Sequence, residues 1–241
     1  MRAETRHQLK QDRFTQATIG VAEATAHWTV EHKSKLIAGG AAVAILIAIV
    51  AGGWYYLSQQ DAKASVELGA ATRILSTQLR PAGTPAQPEF PTYESAKERA
   101  TDARRHFQAI VDQYPHTRSA DIARYFLGLT SATLGDNASA ERELQSVAAL
   151  HNEDLASLAK MALASVYRDA GRNKDAIALY QQLINKPTVA VGKTAAELEL
   201  ASTYLAEQQP AEAKRIYEQV QKENPATEAS QLAAQKLQDL K

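Results

Sequence analysis

Cysteine is absent from all 241 residues, which excludes disulfides, thiol nucleophiles, cysteine-ligated zinc and iron–sulfur clusters together. The absence is compatible with an address outside the cytoplasm. Aromatic residues reach only 6%, and β-branched residues thin out beyond residue 60, where alanine, leucine and glutamine dominate. That composition favours helix over strand, so the expected fold class is all-α. Net charge is missing too: 27 Lys and Arg balance 27 Asp and Glu, leaving no bulk field to draw the chain to nucleic acid. No P-loop, glycine-rich dinucleotide turn or GxSxG occurs, and His7, His27, His32, His106, His116 and His151 never fall at HExxH spacing. Pairs of Asp and Glu are present, but on helices such residues ordinarily form a solvated face. The expectation is a non-enzyme with no catalytic, cofactor or metal site, no small-molecule substrate and no cofactor.

Against that background one stretch stands out. Leu36 to Leu57 reads LIAGGAAVAILIAIVAGGWYYL, 22 residues without a charge or a strongly polar side chain. As a helix it would be ~33 Å long, enough for the ~30 Å hydrocarbon core of a bilayer. Lys33 and Lys35 stand at its start, and Trp54, Tyr55 and Tyr56 form an aromatic band at its end, suited to the headgroup layer. A buried core helix of this length would ordinarily alternate a polar face with its apolar one. A cleaved signal peptide fits poorly, because the run begins 35 residues in, follows several acidic residues and is long for an h-region. Residues 36–57 are therefore expected to be a single transmembrane helix. Six basic residues precede the span within 35 positions (Arg2, Arg6, Lys10, Arg13, Lys33, Lys35) and three follow within 35 (Lys63, Arg73, Arg80). This bias puts the amino terminus in the cytoplasm and the remainder outside, in the periplasm of a Gram-negative cell whose inner membrane holds the span. Within the span Gly40, Ala44, Ala48 and Gly52 recur every four residues, a ridge against which another membrane helix could pack closely. The alternative is the general abundance of glycine and alanine in membrane helices.

Residues 1–35 read as a polar cytoplasmic arm. Phe14, Ala17, Val21, Ala24 and Trp28 make a thin apolar stripe on a possible helix, either a surface for membrane or partner or a loosely helical lead into the anchor. Residues 58–92 read as a connector. Asp61 to Leu79 is a helix candidate continuing the span, and Pro81, Pro85, Pro88 and Pro91 with Gly83 then mark a loop, after which a helix starts near Tyr93.

Residues 93–241 repeat themselves. Ala103, Ala140, Ala176 and Ala213 are 37, 36 and 37 residues apart, each followed four positions later by a large side chain: Phe107, Leu144, Tyr180, Tyr217. A second cluster lies upstream in the later copies: Leu127-Gly128 with Ser131, Leu163-Ala164 with Tyr167, Leu200-Ala201 with Tyr204. Gly135 and Gly171 fall between the clusters, Gln208 takes that place in the last copy, and Pro115, Pro187 and Pro225 close three units. The glycines would supply turns with positive φ. Asn224-Pro225 reads as the N-cap and first turn of a final capping helix that carries Leu232, Leu237 and Leu240.

The pattern L-G-x2-Y, A-x3-F and P resembles the tetratricopeptide repeat over residues 93–225, in three full units and one leading half. The resemblance implies antiparallel helix pairs stacked into an α-solenoid, each burying an apolar stripe that one pair alone would leave exposed. The units run two or three residues long and lack the family's tryptophan. The layout of arm, anchor and repeats is similar to the ancillary subunit family of the bacterial SecYEG translocon, which hands exported proteins to periplasmic chaperones. Phe107 to Pro115, with Ala120 and Ala123, also looks like repeats of periplasmic proteins of outer-membrane assembly and cell division.

The resemblance implies protein binding through a groove made by the first helix of each pair. The matching positions are Ile122, Tyr125 and Leu129, then Met161, Ser165 and Arg168, then Leu198, Ser202 and Leu205. The lysines and asparagines with which some repeats grip a terminal carboxylate are missing, so an extended or helical segment with apolar anchors is the expected ligand. The implied role is a membrane-anchored interaction scaffold at the export machinery, with the Sec channel or exported chains as partners; the alternative is an organiser of envelope or division complexes. A reporter enzyme that works only in the periplasm, fused after Lys241, is expected to be active and a cytoplasm-only reporter silent; the reverse pattern would invert the topology.

Overall fold

The computed structural model describes residues 33–81, 83 and 92–240, and the stripe from Phe14 to Trp28 lies outside them. Two compact units divide the chain, residues 1–56 and 57–241. In the first, helix α1 (Lys33–Ser76) begins and carries its apolar half. An 18-residue window of α1 has a mean hydropathy of 2.4, and the described residues bury none of it. By length and composition it can cross a membrane. No break separates this half from the predicted 61–79 helix, which ends at Ser76.

The second unit contains the rest of α1 and eight further described helices: α2 (Ala96–Gln113), α3 (Arg118–Thr133), α4 (Asn137–Ala148), α5 (Glu153–Asp169), α6 (Asn173–Asn185), α7 (Lys193–Ala206), α8 (Pro210–Glu223) and α9 (Glu228–Asp239). From α2 onward each helix packs on the next, and α3, α5 and α7 also touch in succession. Among the described residues the only β-type pairing is one bridge, Leu79 to Tyr93.

The repeat signature is the core. Ala103, Ala140, Ala176 and Ala213 are completely buried, as are Phe107, Leu144 and Tyr180, and Tyr217 is 1% exposed. Burial of each large side chain is worth ~1.5–3 kcal/mol. Opposite them lie Leu127, Leu163 and Leu200 with Gly128, Ala164 and Ala201, all buried. At Gly128 the two helices leave no space for a side chain: a Cβ there would lie 2.6 Å from Leu144 Cγ and 2.9 Å from its Cδ2. The large residue in the matching units, where alanine is accommodated, is a flat tyrosine ring.

The three turns inside units are built alike. Gly135, Gly171 and Gln208 have φ of 81°, 73° and 58°. The amides that follow, of Asp136, Arg172 and Gln209, donate to the carbonyls of Ser131, Tyr167 and Tyr204 at 2.9, 2.8 and 2.8 Å. This left-handed closure satisfies the orphan carbonyls of the preceding helix. Gln208 adopts it without glycine's freedom, so the last turn is the strained one.

Two further boundaries differ from expectation. Tyr93 lies in the bridge to Leu79, and α2 starts at Ala96, where Ser95 Oγ accepts from the Glu98 amide at 3.1 Å. Asn224 caps the end of α8, and the final helix is capped by Thr227, whose hydroxyl accepts from the Ser230 amide at 3.2 Å. Pro225 therefore sits in the turn between them, where Ala226 (φ 63°) reverses the chain.

The leading half-repeat is completed by the second half of α1. Ala64 and Ala71 are fully buried and join Phe107, Ile110, Ala120 and Ala123 in one apolar cluster. Asp61 Oδ1 accepts from the Ser119 amide at 2.9 Å, and Tyr114 Oη donates to Glu67 at 2.9 Å. The ends of the proline-rich loop are pinned by the Arg80–Glu94 ion pair, by the Arg80 amide on the Tyr93 carbonyl (2.8 Å) and by Arg99 on the Thr77 carbonyl (2.7 Å).

Gly128→Ala is expected to destabilise the second unit by about 1–3 kcal/mol, because Leu144 must leave its rotamer. Gly135→Ala has open space and should cost less, about 1 kcal/mol, from its backbone alone. Denaturant midpoints of the two variants check the order.

Candidate functional site

Helices α3 and α5 expose one side of each toward a shared groove of about 610 Å³. From the positions expected to bind, Tyr125, Leu129, Met161, Ser165 and Arg168 all line it, so two of the three sequence clusters meet in one place. Each is half-buried, which leaves part of the side chain for a ligand while the remainder packs. Tyr125 meets Phe126 edge to face with centroids 5.4 Å apart, and burial pushes its hydroxyl pKa up. Leu158, Ala132 and Ala162 extend the apolar wall. At the polar end Arg168 Nη1 donates to Glu199 Oε2 at 2.5 Å and Arg168 Nη2 to Ser165 Oγ at 3.3 Å.

The other expected positions lie elsewhere. Ile122 is exposed on α3 and does not line the groove. Leu198 and Leu205 pack against the cluster of Ala213, Tyr217, Val220 and Ala233, and Ser202 Oγ donates to the Leu198 carbonyl at 3.0 Å. The physical reason is α9, which packs on both α7 and α8, so the last unit has a cap where the earlier units have a groove.

Among the groove residues that were not anticipated are Glu199 and Tyr180. Glu199 comes from α7, the first helix of the next unit. Tyr180 is the large core residue of the third unit, and it also lines the groove with a fully buried hydroxyl that has no partner. In the next unit the same hydroxyl is 3.3 Å from Ser202 Oγ. Ser165 is the matching serine, but Arg168 bonds it instead. The repeat spacing pairs 165 with 202 and 180 with 217, so the hydroxyl pairing was readable in principle; the intrusion of Arg168 was not. Burial pushes Tyr180 up to about 12. Tyr93 also rises to about 12, first from burial and then from its 2.6 Å hydrogen bond to Asp102.

No nucleophile and base are brought together in the groove, and among the described residues no group of three or more His, Asp or Glu side chains could hold a metal ion. The groove offers an apolar hollow beside a fixed ion pair.

A family model described as "Tetratricopeptide repeat-like domain" matches residues 27–241. Among solved structures, a tetratricopeptide repeat protein from Parabacteroides merdae is similar at 18% identity with a TM-score of 0.48, over 60% of this chain and 54% of that one. The chain thus spans about half the length of that protein. No curated protein matches.

A phenol whose folded pKa exceeds its unfolded value of 10.0 contributes stability that is complete below pH ~10 and lost as pH rises toward 12. Stability is therefore expected to fall across that window, and less steeply in Tyr180→Phe and Tyr93→Phe, as checked by denaturation midpoints against pH. At neutral pH Tyr180→Phe should be neutral or slightly stabilising, because it removes a buried hydroxyl without a partner.

Proposed function

This chain belongs to the tetratricopeptide repeat-like domain family, and on that premise we propose that it is a membrane-anchored protein–protein interaction scaffold acting as a periplasmic adaptor at the protein-export machinery. Domains of this kind mediate protein interactions. The observation that carries the reading is the groove between α3 and α5, where Tyr125, Leu129 and Met161 form an apolar hollow beside the Arg168–Glu199 pair. A segment with one or two bulky apolar side chains, extended or helical, fits such a surface.

Membrane attachment is supported by the exposed apolar half of α1. Ile45, Leu46, Ile47, Ile49 and Val50 are each 60–70% exposed, a continuous apolar surface that water would penalise and lipid tails would not. The six-to-three excess of basic residues on the amino-terminal side supports a periplasmic repeat domain. Among the described residues nothing lies within 4 Å of a Cβ built at Gly40 or Gly52, which is compatible with a second membrane helix packing on the ridge Gly40, Ala44, Ala48 and Gly52.

A photocrosslinking residue at Met161, activated in native membranes, tests the role. Capture of the Sec channel and exported chains is the expected result, whereas capture of outer-membrane or septal machinery would favour an organiser of those complexes. Tyr125→Asp with Met161→Asp should weaken partner binding by on the order of tenfold or more, by placing charge in an apolar contact. Leu198→Asp is unsuitable for this purpose because Leu198 is a packing residue of the last unit. Undiminished capture by a folded double variant would move the site away from the groove.

A further inference from the structure

Helices α2 to α5 each open on a side-chain cap, from Ser95, Thr117, Asp136 and Asn152. Helix α7 opens at Gly192 with none, and the bond that starts it, from the Ala196 amide to the Gly192 carbonyl, is long at 3.4 Å. Its first turn is tied instead to the end of α8: Lys193 Nζ donates to Glu223 Oε2 at 2.6 Å, and Thr194 Oγ1 to Asn224 Oδ1 at 3.3 Å. Beside this clasp lies Glu197, 4% exposed. Its Oε1 is 3.3 Å from Lys193 Nζ and takes a long 3.5 Å hydrogen bond from Gln219 Nε2, while Oε2 is buried without a partner. Gln219 also donates to Glu223, at 2.9 Å. Two carboxylates thus draw on the same two donors, and the exposed one holds them closer. A buried charge served this poorly carries a desolvation cost that its neighbours do not offset.

The remaining charged groups nearby leave that competition in place. On α8, Arg215 and Glu212 pair with each other at 3.5 Å, and Lys222 acts on Glu223. Helix α6 faces the same crevice with Gln181, Ile184 and Asn185, none of which titrates, and Tyr204 of α7 also lines it. Burial pushes the Glu197 carboxyl pKa up from 4.5, Lys193 pulls it back, and Glu223 adds to the rise. A carboxyl raised in the folded chain contributes stability that is complete below pH 4.5 and lost as pH rises through its folded pKa. Glu223 is held below 4.5, first by Lys193, so its own contribution is lost only at lower pH.

We propose that the junction of α7 with α8 is a proton-sensitive latch, closed when Glu197 is protonated and Lys193 and Gln219 serve Glu223 alone, and loosened when Glu197 is ionised and divides them. Loosening lets the last unit open locally from the end of the solenoid, as a weakly capped terminal element does before the whole fold unfolds. Helix α7 also carries Glu199, the partner of Arg168 at the polar end of the groove, so the latch sets how firmly that end is held. This last consequence rests on the groove being the binding face; the latch itself does not.

Amide hydrogen exchange of the full chain in uncharged detergent micelles, read by mass spectrometry and corrected for the intrinsic pH dependence of exchange, tests the latch. No partner is needed, so failure of the latch and failure of the groove reading are separable. Between about pH 5 and about pH 7.5, protection across residues 193–223 is expected to fall by on the order of threefold or more, and to stay level across residues 153–185. Neither segment contains a histidine. In Glu197→Gln the fall should be absent, with protection at neutral pH close to that of the unaltered chain at the acid end. A level profile over 193–223 in the unaltered chain, an equal fall over 153–185, or an undiminished fall in a folded Glu197→Gln chain overturns the proposal. The comparison of the two segments in the unaltered chain stands even if Glu197→Gln does not fold.

Discussion

The approach of the two helices within each unit is the constraint from which the rest of the solenoid follows. A small residue on the first helix and a fully buried alanine on the second let the backbones close, and one large side chain per unit, from Phe107 to Tyr217, fills what remains. Gly128 against Leu144 leaves no room for even one methyl group. Because each helix pair buries only part of its apolar surface, stacking is obligatory, and the core propagates through adjacent units. The same requirement recruits the second half of α1, whose Ala64 and Ala71 cover a face of α2 and α3 that would otherwise meet water.

Stacking also decides where the surface stays open. Where two first helices lie side by side without a covering element, as at α3 and α5, a groove remains. Where α9 folds onto α7 and α8, the corresponding Leu198 and Leu205 stay half-buried but pack against the last apolar cluster. The cap thus protects the end of the solenoid and shortens its binding face. Polar groups follow the same division: Tyr217 and Ser202 lie within hydrogen-bond reach in the capped unit, whereas Tyr180 is left without a partner beside the groove because Arg168 engages Ser165.

The apolar half of α1 obeys a different solvent logic. In water its large side chains would form a costly exposed surface; in lipid they need nothing further, since the helix satisfies its own backbone hydrogen bonds. Its lack of a polar face distinguishes it from every helix of the second unit, each of which turns charged residues outward.

Much of this was legible in the residues. Periodicity alone located the repeats, the small and large core positions and the positive-φ turns, because packing and backbone sterics act on residue type at fixed spacing. The charge-free run at 36–57 marked a helix long and apolar enough to cross a membrane, by length and hydropathy alone. Local capping competition was harder: Asn224-Pro225 has the composition of a helix start, yet Thr227 took the cap. What only the tertiary structure decided was which equivalent positions remain accessible. Leu129, Ser165 and Ser202 occupy matching places along the chain, but whether such a place faces a ligand or a neighbouring helix depends on what packs over it.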